Sequence, residues 1–174
     1  MRTKKVIVMP CDPKWKDYFA LLKQRVANVL GDLAIAVEHV GSTSVEGLSA
    51  KPIIDLDIVI EDYSALNEAI KLLSKIGYIH EGNLGIEGRE AFDYIGEELL
   101  PKHHLYVCPK DSKELARHIA FRDFLRNTPE AVAEYGRVKE EAARLYPNDI
   151  DGYIQYKSPC IEKFYKKIFE ENIK

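Results

Sequence analysis

Apolar and polar residues alternate along residues 53–60 in the way that a half-buried strand requires. Isoleucine or leucine recurs at every second position from Ile54 to Ile60, which predicts a strand with these side chains on one face. Asp55 and Asp57 fall on the opposite face. Like charges two residues apart on a sheet repel each other unless a cation or basic ligand lies between them. The pattern therefore predicts a functional strand rather than one selected for stability alone.

The remaining pattern predicts a mixture of strands and helices. Further strands are predicted at residues 6–9, 34–40, 78–81, 89–95 and 102–108. Helices are predicted at 13–30, 64–76, 112–127 and 129–145, followed by a helical region from Asp151 that kinks or restarts at Ser158-Pro159. This order is typical of an α/β or α+β domain in which a mixed sheet carries the site on one edge and a helical C-terminal portion covers it.

Composition narrows the class of protein. The 174 residues predict one domain, residues 1–174, and 46% hydrophobic with 30% charged residues is ordinary for a soluble globular chain. No apolar run approaches the ~18–20 residues that span a bilayer, so we expect no membrane segment. Three scattered cysteines predict a reducing compartment, and hence a cytoplasmic protein. A net charge of −3 argues against nucleic acid as the partner.

A small turn precedes the aspartate strand. Gly41, Ser42 and Thr43 offer backbone N–H groups and hydroxyls without bulky side chains, and such a turn can wrap a phosphate. Mg²⁺ takes hard oxygen ligands and brings substrate phosphates with it. The turn and the paired aspartates lie only about a dozen residues apart, so together they predict metal-assisted phosphoryl or nucleotidyl transfer with Asp55 and Asp57 as ligands of Mg²⁺ or Mn²⁺.

Residues 41–57, GSTSVEGLSAKPIIDLD, resemble the signature of the GrpB-type (UPF0157) family, GSTSVPGLAAKPIIDI, with Glu46 where the family often has proline. That family has the nucleotidyltransferase superfamily fold, a mixed β-sheet flanked by helices. Four further segments are similar to the family: Gly88-Arg89 with Phe92, His103–Val107, Phe121–Arg126, and Tyr153 with Lys157. The resemblance thus extends over most of the chain.

The resemblance implies a magnesium-dependent nucleotidyltransferase with Asp55 and Asp57 as catalytic residues. It also implies a set of substrate-binding residues: Gly41, Ser42, Thr43, Lys51, Arg89, His104, Arg122, Arg126 and Lys157. Tyr106 replaces a histidine of the family's HHLHV segment. His104 and Asp93 both remain candidates for a third metal ligand.

Several candidates have an alternative structural interpretation. Arg122 and Arg126 lie one turn apart on an otherwise apolar stripe, and they either clamp phosphate or pair with the strand aspartates as buried salt bridges. Lys157 either reaches a triphosphate or faces solvent, and Lys139 has a weaker claim to a phosphate. The glycine-rich segment 82–89 is either a loop that closes over a ligand or a plain surface loop. His39 is expected to be structural.

Two functional hypotheses follow. The first is transfer of a nucleotidyl group to an acceptor, and the alternative is a non-catalytic module that binds a nucleotide or another phosphorylated small molecule. Metal-dependent hydrolysis of a phosphoester is a third hypothesis, but no further metal cluster supports it. Domains of this family occur attached to dephospho-coenzyme A kinase, which implies a link to coenzyme A metabolism. This chain has no P-loop, so kinase activity of its own is not expected.

Overall fold

The computed structural model describes residues 5–171 as a five-stranded mixed sheet with helices on both faces. The strands are β1 (Ala36–Val40), β2 (Ile54–Ile60), β3 (Tyr78–Gly82), β4 (Glu90–Tyr94) and β5 (His103–Pro109). Their order in the sheet is β1-β2-β5-β4-β3, with β2 and β5 parallel and every other pair antiparallel. The expected mixed sheet is therefore confirmed.

Five helices complete the fold: α1 (Lys14–Leu30), α2 (Leu66–Ser74), α3 (Lys113–Arg126), α4 (Pro129–Leu145) and α5 (Ile150–Glu171). The Asp12 side chain accepts a hydrogen bond from the Lys14 N–H at the start of α1, and Ser112 caps α3 by accepting from the Leu115 N–H. Within residues 5–171, no helix is both long enough and apolar enough to cross a membrane.

One prediction about the chain ends was wrong, and one alternative of a second was wrong. The described part of the predicted first strand, residues 6–9, forms only an isolated bridge between Met9 and Ala50, because Pro10 has no N–H with which to extend a ladder. Helix α5 continues through Pro159, so the alternative in which the helix restarts at Ser158-Pro159 is wrong. The helix is buried on both sides of the proline, through Tyr153 before it and Phe164 after it, in cores that include residues of α4. This packing outweighs the backbone hydrogen bond that Pro159, without an N–H, cannot donate.

The sheet has two chemically different faces. Leu56 and Ile58 of β2 belong to the main core under α1 and α2, together with Leu22 and Leu73. Helix α3 packs on the opposite face, which carries the side chains of Asp55 and Asp57, and α4 and α5 pack beside it. The strand alternation predicted from the sequence therefore places both carboxylates beneath the C-terminal helices.

Candidate functional site

The two β2 aspartates are surrounded by polar residues on the adjacent strands. In the sheet register, Asp55 lies opposite Val40 of β1 and His104 of β5, and Asp57 lies opposite Glu38 and Tyr106. Side chains paired across strands project from the same face. The prediction that both aspartates share one face is confirmed, and the sheet adds Glu38 to them.

Asp57 is fully buried, with 0% of its surface exposed. Its Oδ2 lies 2.6 Å from Nδ1 of His118 on α3, and Nε2 of the same imidazole lies 3.2 Å from a Glu114 carboxylate oxygen. Burial raises the pKa of Asp57 above its ordinary value. Burial opposes the charged form of His118, but Asp57 and Glu114 together outweigh it and raise the pKa of the imidazole. The pair therefore holds its proton to a higher pH than an isolated histidine does.

Sequence reasoning missed His118, although a signal was present. Glu114, His118, Arg122 and Arg126 recur every four residues along α3, which places them on one side of the helix. His118, Arg122 and Arg126 contact Asp57, Glu38 and the Ser44 carbonyl respectively, and Glu114 contacts His118 on the same helix. A charged stripe of this kind on a helix that covers a sheet predicts polar partners beneath it.

Asp55 is held between a strand and a turn. Its Oδ1 lies 2.9 Å from Nδ1 of His104. On the other side, Gly41 adopts φ = 72°, and a Cβ added there would lie 2.2 Å from Oδ2 of Asp55. Glycine is required at this position because a side chain would displace the carboxylate. The turn backbone therefore approaches the predicted metal ligand directly.

The hydroxyls of the turn are largely engaged by the fold. Thr43 is buried, with Oγ1 lying 3.0 Å from Nε2 of His39 and donating to the Ile53 carbonyl. His39 stacks on Phe19, and burial lowers its pKa to about 4, so the imidazole is neutral near pH 7, as expected of a structural histidine. The half-buried Ser42 side chain interacts with the hydroxyl of Tyr135. Of the predicted phosphate-binding hydroxyls, Thr43 is thus directed inward.

Three lysines gather around two tyrosines near Asp55, and we call Lys51, Lys139 and Lys157 the lysine cluster. The Nζ atoms of Lys51 and Lys157 lie 5.3 Å and 4.8 Å from the centroid of the Tyr153 ring, and Nζ of Lys139 lies 4.9 Å from that of Tyr135. The alternative in which Lys157 simply faces solvent is wrong, because this residue is half-buried against Tyr153.

The pKa values of the lysine cluster are lowered. Burial and the charge of Lys51 lower the pKa of Lys157 to about 8, while Asp55 acts in the opposite direction. Burial also lowers the pKa of Lys51. Lys139 is 2% exposed, and burial together with the two neighbouring ammonium groups lowers its pKa well below the ordinary value of a lysine. Sequence reasoning underrated Lys139 because its helix gives no sign of the lysines on other elements.

The two α3 arginines do not pair with the strand aspartates, so that alternative is wrong. Arg122 donates to the Glu38 carboxylate at 2.6 Å and also pairs with Asp123 on its own helix. Arg126 donates twice to the Ser44 carbonyl, at 3.0 and 2.8 Å. The reason is register: the helix stripe passes over β1 and the turn before it reaches β2. Both arginines line a groove of about 530 Å³ beside β1, together with Phe19 and Lys23.

Arg89 stands at the far side of Asp57. Its guanidinium carbon lies 4.3 Å from the Tyr106 ring centroid, and its positive charge opposes the rise in the Asp57 pKa. The Nε of Arg89 is buried without a hydrogen-bond partner among the described residues. Ser112 donates to the Gly88 carbonyl at 2.7 Å, so the end of the glycine-rich segment is fastened to the start of α3.

The two carboxylates suit a Mg²⁺ ion that takes only one or two ligands from the protein. Within residues 5–171, no group of three or more histidine, cysteine, aspartate or glutamate side chains is arranged to hold a metal ion. Asp57 Oδ1 is buried and has no hydrogen-bond partner among these residues, and Asp55 lies beside it on the same strand face. Mg²⁺ often binds through one or two carboxylates and completes its shell with water and substrate phosphates. The donors fit that mode. His104 contacts Asp55, whereas Asp93 is exposed and lies two strands away from it.

Solved structures resemble this fold to different degrees. The crystal structure of the conserved protein GrpB from Enterococcus faecalis matches with a TM-score of 0.84 and 31% identity, covering 97% of this chain and 100% of that chain. A structure of the Cid1 poly(U) polymerase with MgGTP bound matches with a TM-score of 0.54 and 11% identity, covering 79% of this chain and 44% of that one. The second likeness concerns the fold, which is nucleotidyltransferase-like.

Proteins similar in sequence point to the same family as the Enterococcus faecalis structure. The UPF0157 protein YqkA of Bacillus subtilis is 34% identical over 171 residues, which cover 98% of this chain and 48% of that protein. A dephospho-CoA kinase of Mycolicibacterium paratuberculosis is 26% identical over 188 residues, covering 95% of this chain and 46% of that protein. The chain thus spans about half the length of these two relatives. The family model described as GrpB protein matches residues 5–167. With this match and a fold shared along nearly its whole length, the chain belongs to the GrpB family.

Proposed function

We propose that this protein binds a nucleotide together with Mg²⁺ or Mn²⁺ at the β2 aspartates and transfers the nucleotidyl group to an acceptor. The observation that carries the proposal is the meeting of opposite charges beside one glycine turn. Asp55 and Asp57 share a sheet face next to Gly41, and the lysine cluster lies close enough for the charge of Asp55 to offset part of the lowering of the lysine pKa values. Carboxylates that hold a metal and cations that hold phosphates are the two requirements of nucleotidyl transfer.

The chain's own residues divide this work. Asp55 and Asp57 would hold the metal, which when bound neutralises the charge that develops on the transferring phosphoryl group. His104 orients the Asp55 carboxylate through the 2.9 Å contact, and His118 orients Asp57 through the 2.6 Å contact. Gly41, having no side chain, allows a phosphate to come close to Asp55.

The cations are placed for different parts of a substrate. Lys51 and Lys157 lie on the Tyr153 side of Asp55, where the phosphates of a nucleotide would be bound. Arg89 lies on the Tyr106 side of Asp57. Arg122 and Arg126 border the groove beside β1, where an anionic acceptor would be bound. Separate cation groups on two sides of the carboxylates suit a reaction that joins two substrates.

The comparisons support the proposal at the level of fold and family. Cid1 is a poly(U) polymerase whose structure contains MgGTP, and the likeness to it suggests a nucleotide as the ligand. Dephospho-CoA kinases carry a segment similar to this chain, which suggests a phosphorylated small molecule such as a coenzyme A precursor as acceptor or ligand. A net charge of −3 makes a small phosphorylated acceptor a better proposal than nucleic acid.

Isothermal titration tests the proposal. ATP, CTP, GTP and UTP are each titrated with Mg²⁺ into the parent protein and into the double variant Asp55→Asn, Asp57→Asn. We expect metal-dependent binding of at least one nucleotide in the parent and loss of that binding in the variant, because the amide oxygens are uncharged and bind Mg²⁺ poorly.

The matched control is the double variant Asp17→Asn, Asp32→Asn, which removes the same charge from two exposed aspartates. It should bind as the parent does. Equal binding by all three proteins would place any nucleotide away from β2 and contradict the proposal. Circular dichroism of each variant verifies that the fold is retained.

One observation favours the non-catalytic alternative, in which the same cleft binds a nucleotide without turnover. His118 occupies one oxygen of Asp57, and Glu38, the third carboxylate on this sheet face, is paired with Arg122. Incubation of the best-binding nucleotide with Mg²⁺ and phosphorylated acceptors separates the two functions. Release of pyrophosphate supports transfer, whereas tight binding without product supports the module.

A further inference from the structure

The lysine cluster is built differently from an ordinary set of surface lysines. Lys139 is 2% exposed and comes from α4, Lys157 comes from α5, and Lys51 precedes β2. Three elements distant in the chain therefore deliver ammonium groups to one place. Their ammonium groups lie against the rings of Tyr135 and Tyr153, whereas surface lysines such as Lys110 and Lys163 form ion pairs with glutamates. Burying several ammonium groups close to one another is costly, so the arrangement requires a reason.

The lysine cluster lies against two aromatic rings, and the hydroxyl of one of them lacks a hydrogen-bond partner among the described residues. Tyr153 is 0% exposed, and its hydroxyl has no hydrogen-bond partner among the described residues. The Lys51 and Lys157 ammonium groups lie over its ring, and Lys139 lies over that of Tyr135. The Tyr153 hydroxyl and the three lysine side chains can all donate hydrogen bonds, and a compact anion with several oxygens would accept them.

Among residues 5–171, the titratable groups that act on the three lysines or lie against them are Asp55 of β2, Tyr135 of α4 and Tyr153 of α5. Both tyrosines have raised pKa values and are neutral near pH 7. Asp55 supplies one negative charge to three lysines. Burial and repulsion by the two neighbouring ammonium groups therefore favour the uncharged form of Lys139, and they lower its pKa well below the ordinary value.

We propose that the lysine cluster is a polyphosphate subsite that takes up a proton from solvent as the anion binds, with Lys139 as the acceptor of that proton. The inference deepens the proposed function, because it assigns the phosphate chain of the substrate to this cluster and adds a pH dependence to its binding. A bound polyanion supplies the negative charge that the free cluster lacks, so the uncharged amine of Lys139 becomes an ammonium group. The proton comes from the buffer, and no covalent bond is made or broken.

The direction of the pH dependence follows from linkage. When the bound state holds more protons than the free state, affinity falls as pH rises, by up to about tenfold per pH unit for each proton taken up. At pH 7 Lys157, with a pKa of about 8, is already mostly protonated, so uptake there reports Lys139. Between pH 7.5 and 9 Lys157 loses its proton in the free protein, so binding then requires a second proton.

The test is titration calorimetry with inorganic tripolyphosphate at pH 7.0, in the presence of a chelator and without metal. The same titration in two buffers of different ionisation enthalpy measures the number of protons taken up. The parent is compared with Lys139→Met, which keeps the length of the side chain but has no amine, and which also corrects for protons exchanged by tripolyphosphate itself. We expect the parent to take up about one proton more than the variant, which should bind roughly tenfold more weakly.

Two matched variants sharpen the result. Lys157→Met should reduce affinity at pH 7.0 and flatten its decline between pH 7.5 and 9, without removing the uptake due to Lys139. Lys163→Met, on the same helix but paired with Glu134, should behave as the parent does. Equal proton numbers for the parent and Lys139→Met, or absence of tripolyphosphate binding by the parent, would overturn the inference.

The inference and the proposed function fail separately. Binding of tripolyphosphate needs neither a metal nor a nucleoside, so it remains measurable even when no nucleotide binds with Mg²⁺. Conversely, metal-dependent nucleotide binding that is lost in the Asp55→Asn, Asp57→Asn variant, together with unchanged proton numbers in Lys139→Met, would support the proposed function and refute proton uptake by the cluster.

Discussion

The two faces of the central sheet solve different physical problems. The face under α1 and α2 is filled with aliphatic side chains such as Leu56 and Leu73, whose contribution depends on volume and packing. The face under α3 carries Asp55, Asp57 and Glu38, whose contribution depends on partners from other elements. The comparison shows that one strand can belong to a core by its even-numbered residues and to a candidate site by its odd-numbered ones.

The largest expected effect is on the apolar face. Replacing the fully buried Leu56 by alanine should lower the free energy of unfolding by about 3–4 kcal/mol, because it removes methyl groups and leaves a cavity. Urea denaturation measures this. Leu99→Ala, at a side chain that is 98% exposed, should change stability by less than about 0.5 kcal/mol. Similar losses for the two variants would contradict the description of the core.

The polar face should respond to loss of a partner rather than to loss of volume. His118→Leu should cost about 3 kcal/mol, because the buried Asp57 carboxylate loses its partner. Adding Asp57→Leu should recover much of that loss, since both polar groups are then absent. If the double variant instead loses the sum of the stability losses of His118→Leu and Asp57→Leu measured singly, the two residues act independently.

On the apolar face, His39 should make the free energy of unfolding depend on pH. Burial lowers the pKa of this histidine to about 4, while the unfolded chain binds a proton below about pH 6.5, so stability should be lost as pH falls between these values. Near pH 4, where the unfolded chain is fully protonated at this residue, the loss in the free energy of unfolding is roughly 3 kcal/mol. Urea unfolding from pH 4 to 7 measures the slope, which should be reduced in His39→Gln. An identical slope in that variant would assign the effect to other groups.

On the polar face, the free energy of unfolding should change with pH in the opposite direction. The raised pKa of His118 stabilises the fold below its ordinary value of 6.5, and this contribution is lost as pH rises through the folded pKa. The raised pKa of Asp57 acts in the same direction. Unfolding measured from pH 6 to 9 should therefore show a decline in stability that disappears in the Asp57→Leu, His118→Leu variant. Persistence of the decline would exclude the pair as its source.

The smallest expected effect concerns the contact between the Gly41 turn and Asp55 on the polar face. Gly41→Ala and Gly47→Ala both place a side chain at positive φ, at a cost of about 1 kcal/mol each. Only at Gly41 does the new Cβ meet Asp55, so this variant should be the less stable by about a further 1 kcal/mol. It should also bind magnesium nucleotide more weakly. Equal behaviour of the two variants in both assays would remove Gly41 from the candidate site.

Much of this architecture was predictable from local pattern. The spacing of Ile54 to Ile60 predicted β2 and its two faces, and helical periodicity placed the five helices, with errors only at the first strand and at Pro159. These predictions succeed because side-chain direction repeats every two residues in a strand and every 3.6 in a helix. The similarity of residues 41–57 to the GrpB signature indicated the turn and the aspartates together.

The candidate site was predictable in its residues but not in its partners. Asp55 and Asp57 were identified from alternation, yet nothing in their neighbourhood names His118, which lies 61 residues away from Asp57. Pairing with the aspartates was one of two alternatives for Arg122, which instead contacts Glu38, because the position of a helix over a sheet is decided by packing. Lys139 looked like an ordinary helical lysine until α5 and the segment before β2 were placed beside it.

The sequence by itself determined the family, the mixed order of strands and helices, and the pair of carboxylates on β2, because each is written in short-range periodicity or in a contiguous motif. Only the tertiary structure decided that Asp57 is fully buried against His118, and that three lysines from distant segments lie over the rings of Tyr135 and Tyr153. Burial and charge proximity arise from the packing of elements remote in the chain, and they set the pKa values on which the proposed chemistry depends.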